Sequence, residues 1–414
     1  MKLSMRHLVA SLVLGVAGFT ASLDGLGPPL ACAQEKTEAL RPEVGKPLQA
    51  AQELMKAQKY KEALAKIQEA DGVGNKTGYE TFIIARMRGA ASAGAGDNDG
   101  AAKAFEQVIA SGRLPAAEQL KIVEAVAGTY YRAKDYPKAI TWATRYLKDG
   151  GTSGQVRTVL IQSYYLSGDF GNAAKQLVSD IQADEKAGQR PAEDKLQFLA
   201  SAYLKQNDNG GYSTTLEKLV AYYPKKEYWA DLINRIQKKP GFADRLSLDV
   251  YRLQLVTGNI TAASDYMEMT QLALQAGFPV EAKKVIDQGF ASGALGTGAD
   301  AERHKRLRDL ATKQAADDVK TLGQEPDANA KDGNALVNTG FNYVINGQFD
   351  KGVAMMEKGI AKGGLKRPED EKLHLGIGHV LAGQKSKAVQ VFKTVQDANG
   401  TADLARLWVV YASK

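Results

Sequence analysis

The chain has 414 residues, of which 44% are hydrophobic and 24% charged, as expected of a folded protein of about two or three domains or of a repeat array. Proline is scarce, Ala-rich periodic segments dominate, and no run of alternating β-branched residues stands out, so helices are expected and a sheet is not. A formal charge of +7 is mild for this length and does not imply nucleic acid, and a single cysteine rules out any disulfide within the chain.

The N-terminus reads as an address. Lys2 and Arg6 precede an apolar run from Leu8 to Phe19, long enough for a signal-peptide core and too short to span a bilayer. Ala31-Cys32-Ala33 offers small residues for cleavage, so residues 1–33 are expected to be a signal peptide and Gln34 the mature start. The leader carries Lys2, Arg6 and Asp24, and its loss leaves +6. A second reading retains Cys32 as an acylated anchor, although Pro29 stands where a lipobox usually has Leu.

Residues 34–46 look like a short flexible lead, and the first repeat follows. Ala51 and Leu54 share one helix face; Tyr60, Ala63, Ile67 and Ala70 share the next. Asp71-Gly72-Val73-Gly74-Asn75 breaks it, because Gly and Asn tolerate the left-handed conformation. A second unit spans Tyr79 to Ala110, with Gly89 at the close approach. Its turn, Gly94 to Gly100, lacks the Lys-Ser/Thr ending of a phosphate loop and the closing Glu of a calcium loop, so a plain turn is expected.

The next two units carry the clearest pattern. Ala127, Tyr130, Tyr131, Asp135, Tyr136 and Ala139 are followed, 34 residues later in every case, by Ile161, Tyr164, Tyr165, Asp169, Phe170 and Ala173. A period near 34 predicts a two-helix unit that buries its apolar face by stacking on neighbours. Small residues stand where two helices touch, and large ones fill the wider gaps. This pattern resembles the tetratricopeptide repeat family, through Ala127, Tyr130, Tyr136 and Ala139, then Tyr164, Phe170, Ala173 and Leu177. The family's Trp at the start of the first helix is absent. The resemblance implies an all-α fold: an α-solenoid, a right-handed superhelix of about eight to ten antiparallel helix pairs.

A fifth unit is looser, with Phe198, Ala202 and Tyr203 on one face and Tyr212, Leu216, Leu219 and Tyr222 on the next. These units make an N-terminal array over 47–224. Residues 225–323 read as degenerate helical repeats: Trp229 to Ile236, Leu246 to Leu253, Gly277 to Gly289, and a charged helix from Ala301 to about Gln314. Gly293 to Gly298 follows a helix rather than a strand, so a dinucleotide loop is rejected. Residues 324–334 are a polar linker. Two clear copies close the chain over 335–414, one from Gly340 to Met356 and one from Gly376 to Phe392, and Leu404 to Tyr411 is expected to cap the last repeat.

Chemistry is hard to find. His304 lies among cations and reads as solvated. His379 takes the packing position of Tyr130 and Tyr164, and its spacing from His374 does not bring two ligands onto one helix face. Asp317-Asp318 and Glu369-Asp370-Glu371 read as surface carboxylates rather than a buried acid–base pair. No enzyme, metal or cofactor is therefore expected. The cluster Arg303, His304, Lys305, Arg306 and Arg308 is diluted by Glu302 and Asp309, so it reads as a solvated helix, with peripheral contact with an anionic membrane surface as the alternative.

The resemblance implies a concave groove lined by first helices that binds a protein or peptide. Helical geometry turns Tyr131 about 100° from Tyr130, and Tyr165 likewise from Tyr164. Glu124, Gln155, Thr158 and Gln162 fall on the same face, so these six residues are the candidate site; the competing reading puts all four tyrosines in the core. Some family members clamp a peptide carboxylate with Lys and Asn. Glu124 and Thr158 stand at the Lys positions, so that clamp is not carried over. The expected role is a non-enzymatic interaction scaffold of the bacterial cell envelope, in the periplasm. The alternatives are a lipid-anchored envelope assembly factor held through Cys32 and, from another class, an enzyme acting on envelope polymers.

Overall fold

The computed structural model describes residues 38–322, 332–397 and 399–414. The expected leader, Cys32 and most of the 324–334 linker lie outside them. The described residues form helices joined by turns, with no strand among them. The chain divides into two compact units at Ser179 and Asp180, rather than at the 224/225 boundary expected from the repeat pattern.

The first unit is built from four hairpins. They are α1 (Pro42–Lys56) with α2 (Tyr60–Asp71), α3 (Gly78–Ala95) with α4 (Asn98–Ala110), α5 (Ala116–Arg132) with α6 (Tyr136–Lys148), and α7 (Gly154–Leu166) with α8 (Phe170–Lys186), the unit boundary falling inside α8. The lead is shorter than expected. Pro42, with its φ already fixed, sits in the first turn of α1, and Val44 and Leu48 are buried from there on.

Each hairpin closes through alanines. Ala63, Ala101, Ala139 and Ala173 are fully buried. A Cβ at Gly89 would stand 2.6 Å from the Phe105 ring, so the close approach read there is real. The hairpin turn explains the fixed five-residue step from tyrosine to aspartate. Tyr130 O accepts the Asp135 N–H at 3.0 Å and Tyr164 O accepts the Asp169 N–H at 2.9 Å, which ends the first helix. The same aspartate then caps the second helix, Asp135 accepting from Lys138 N at 3.2 Å and Asp169 from Asn172 N at 3.1 Å.

The residue before each aspartate is left-handed, with φ of 61° at Lys134 and 85° at Gly168. Lysine has a Cβ to accommodate there and glycine does not. Lys134→Gly should therefore stabilise the protein by about 0.5–1 kcal/mol. A denaturation midpoint below wild type would show that the side chain of Lys134 does more than occupy the turn.

The second unit continues with α9 (Glu193–Lys205), α10 (Asn209–Tyr222) and α11 (Lys226–Gln237). A 3-10 turn at Asp244–Leu246 leads into α12 (Ser247–Val256). Then come α13 (Ala263–Gln275), α14 (Pro279–Ala291), α15 (Ala301–Thr321), α16 (Gly333–Ile345), α17 (Phe349–Lys362), α18 (Pro368–Leu381), α19 (Lys385–Phe392) and α20 (Thr401–Ala412). The charged helix α15 runs two turns past its expected end, because Ala311 and Ala315 extend its buried stripe. In α16 and α17 glycine replaces alanine at the seam. A Cβ on Gly340 would lie 2.7 Å from Gly352 O, so the two backbones touch directly.

The last helix covers the final hairpin, as expected of a cap, and also reaches further. Beyond packing on α18 and α19, it reaches α10 and α12. Arg406 Nε lies 2.8 Å from Glu217, Lys239 Nζ 2.8 Å from Asp403, and Ala243 N donates to Asn399 O at 3.0 Å. A simple solenoid makes contacts only between neighbouring repeats. Within the second unit the chain instead folds back on itself.

Candidate protein-binding face

In the first unit the first helices of successive hairpins lie side by side, and polar bonds join them. Arg41 and Glu80 link α1 to α3, with Nε to Oε1 at 2.9 Å. Glu80 also completes a capping box with Thr77. The Arg41 hydrogen bond is the main cause holding the Glu80 carboxyl down to about 2.

The six predicted residues fall on α5 and α7, at matching positions. Lys121, Glu124, Gly128 and Tyr131 make one stripe, and Gln155, Thr158, Gln162 and Tyr165 the equivalent one 34 residues on. Ser153 Oγ donates to Glu124 at 2.8 Å, and Tyr131 OH donates to Gln162 Oε1 at 2.6 Å. Gln155 and Thr158 are exposed, and the Thr158 hydroxyl donates to Gly154 O at 3.0 Å.

The paired tyrosines behave differently from one another. Tyr130 is 1% exposed, and its hydroxyl donates to Glu106. Tyr131 is half-buried, its ring centroid 6.2 Å from that of Tyr136. Burial pushes its phenol above the ordinary value. Tyr165 repeats the arrangement, edge-on to Phe170 at 5.1 Å. Each second tyrosine thus braces the turn with one side and leaves the other at the surface. Only Tyr130 is fully in the core; Tyr164, like Tyr165, is half-buried.

His379 matches its sequence reading and His304 does not. His304 is not solvated. It is buried, and its Nδ1 accepts from Gly296 N at 3.2 Å, tying α15 to the glycine-rich connector. His379 is buried as packing, with Nδ1 2.9 Å from Gln384 Oε1.

His374 belongs to a buried ionic cluster in the second unit that the sequence reading missed. Arg252 of α12 bonds Asp249 at 2.8 Å and Glu281 of α14 at 2.7 Å. His374 of α18 lies 3.1 Å from Asp249. The Arg252 guanidinium stands 4.6 Å above the Phe341 ring and 5.1 Å from Phe278. Burial opposes every charge here, and the pairing overcomes it. Asp249 is held at about 2 by His374 and Arg252, and His374 is raised to about 10 by Asp249 and Glu371. Glu281 and Asp249 also raise Arg252 despite its burial. The signal was present: Asp249 and Arg252 are the two charged residues in the helical stretch from Leu246 to Leu255, among Leu246, Leu248, Val250 and Leu253. Glu371, read as a surface carboxylate, faces this cluster 3.6 Å from His374 Nδ1. Its neighbour Asp370 is buried and binds Arg245 at 2.7 Å. Both carboxylates stabilise the fold through ion pairs.

These observations define the class: an all-α protein of stacked antiparallel helix pairs, tetratricopeptide-like in repeat length and in its small-residue seams. No protein-family model matches the sequence, and no curated protein matches it. Similar solved structures include the TPR2AB-domain:pHSP90-complex of yeast Sti1, 12% identical, covering 72% of this chain and 100% of that one, with a TM-score of 0.24. The apo form of RapI is 11% identical over 68% and 89% of the two chains, with a TM-score of 0.30. Yeast Tom70 is 9% identical over 89% and 95%, with a TM-score of 0.24. At such scores the architecture rests on the hairpins of this chain itself. No described helix is long and apolar enough to cross a membrane.

Proposed function

We propose that this protein is a non-enzymatic interaction scaffold of the bacterial cell envelope, and that it holds a segment of a partner protein against the first-helix face of its first unit. The observation that supports this most is the doubled stripe on α5 and α7. Half-buried Tyr131 and Tyr165 are braced from behind, while exposed Gln155 and Thr158 offer hydrogen-bonding groups beside them. Braced aromatic rings give contact area at small entropic cost, and a few such anchors carry most of an interface's affinity.

Replacing Tyr131 and Tyr165 together by Ala should weaken partner capture about tenfold or more while far-UV circular dichroism stays helical. Undiminished capture by the double variant would refute this face. The envelope assignment rests on the leader-like residues 1–33, and mass spectrometry of the mature N-terminus tests it. A mass beginning at unmodified Gln34 supports an exported scaffold. An acylated Cys32 would make it a lipid-anchored assembly factor, and an intact Met1 would remove the envelope role. Peripheral contact of the basic α15 with anionic lipid would add to either location without altering the binding face.

A further inference from the structure

The second unit contains a cleft of about 860 Å³ between α10, α11 and α20. One wall is the α10 face of Asn209, Ser213, Thr214 and Glu217, and the other is the α11 face of Asp231, Asn234, Arg235 and Lys238. Lys239, Pro240 and Arg406 close its end. We propose that this cleft binds a short acidic saccharide: a few hydroxyl-bearing sugars carrying a carboxylate.

Three observations lead there. The first is preorganisation. The Arg235 guanidinium lies 4.0 Å from the Tyr212 ring centroid, with Nε 2.9 Å from Asp231 and Nη1 3.4 Å from Asn209 Oδ1. Tyr212 OH holds the same Asp231 at 2.5 Å. Arg406 is fixed in the same way, by Glu217 at 2.8 Å and Asp403 at 2.9 Å. Arg406 is anchored along its Nε/Nη2 edge and Arg235 at Nε and Nη1, and both keep further N–H groups for a ligand without reordering to bind it.

The second is the lining. An amide, hydroxyls and a carboxylate line the α10 wall, a carboxylate, an amide and cations line the α11 wall, and Pro240 is the one apolar side chain among the lining residues. Such a surface suits a ligand that both donates and accepts along its length, as sugar hydroxyls do. It offers no anchor for an apolar peptide side chain.

The third is charge. Arg235, Lys238, Lys239 and Arg406 stand against Asp231, Glu217 and Asp403, which leaves one positive charge in excess. Lys238 is the exposed cation at the rim. One excess charge matches a single carboxylate, whereas a polyphosphate would meet Glu217 and Asp231.

Full-length protein should be titrated calorimetrically with 3′-sialyllactose, a trisaccharide with one carboxylate, and with neutral maltotriose and tripolyphosphate. Saturable binding of 3′-sialyllactose is expected, with maltotriose and tripolyphosphate both weaker. Lys238→Ala and Asn234→Ala change exposed side chains, so the fold should survive; together they should weaken 3′-sialyllactose about tenfold. Absence of saturable binding up to roughly 10 mM would overturn the proposal. So would binding that the double variant leaves intact, or tripolyphosphate binding more tightly.

Discussion

Arg252→Met should cost about 3–5 kcal/mol of folding stability, because it leaves Asp249 and Glu281 charged without their central cation. Arg252 is 4% exposed and Asp249 3% exposed, so water cannot replace the lost partner. The arginine also ties α12 to α14 through Glu281 and lies against the Phe278 and Phe341 rings. Adding Glu281→Gln to Arg252→Met should recover part of the loss, since one buried charge no longer needs a partner. Chemical denaturation reads both effects. A loss below about 1 kcal/mol for Arg252→Met would mean that the cluster is solvated rather than buried.

The second large effect concerns pH. Against burial and the nearby Arg252, Asp249 and Glu371 raise His374 from an ordinary value near 6.5 to about 10. A folded-state value above the unfolded one stabilises the protein fully below about pH 6.5 and loses that contribution as pH climbs toward about 10. The ring is partly open to solvent, with a side-chain exposure of 22%, so the contribution is best taken as about 2 kcal/mol. Wild type should therefore lose stability from about pH 6.5 to about pH 10 relative to His374→Gln, in which the titration is absent. Parallel curves for the two proteins would show that the histidine is neutral throughout.

Local features of this fold could be read from sequence, and distant ones could not. The 34-residue displacement of Tyr130, Asp135 and Ala139 encodes one hairpin, and its parts touch within a few turns of helix. The Tyr-to-Asp step is a helix end and a helix cap written in one motif. The stripe from Glu124 to Tyr131 follows from helical geometry alone. By contrast, the bond from His304 to Gly296 depends on the path of a loop, and a run of cations around the histidine pointed to solvent instead. His374 meets Asp249 across 125 residues, and Arg406 meets Glu217 across 189. Those contacts arise because the second unit folds back on itself, which a purely neighbour-to-neighbour array does not anticipate. Gly340 opens a repeat copy in the sequence, but only the packing shows that its backbone meets that of Gly352.

The exposed edge of α5 and α7 is the surface proposed to hold the partner. A photo-crosslinking residue placed at Thr158, on that edge, tests it most directly when compared in cells with the same residue at Lys175, exposed on α8. A discrete protein adduct from position 158, lost when Tyr131 and Tyr165 are both alanine and absent from position 175, is the predicted result. Equal adducts from both positions, or an adduct at 158 that survives loss of both tyrosines, would contradict it.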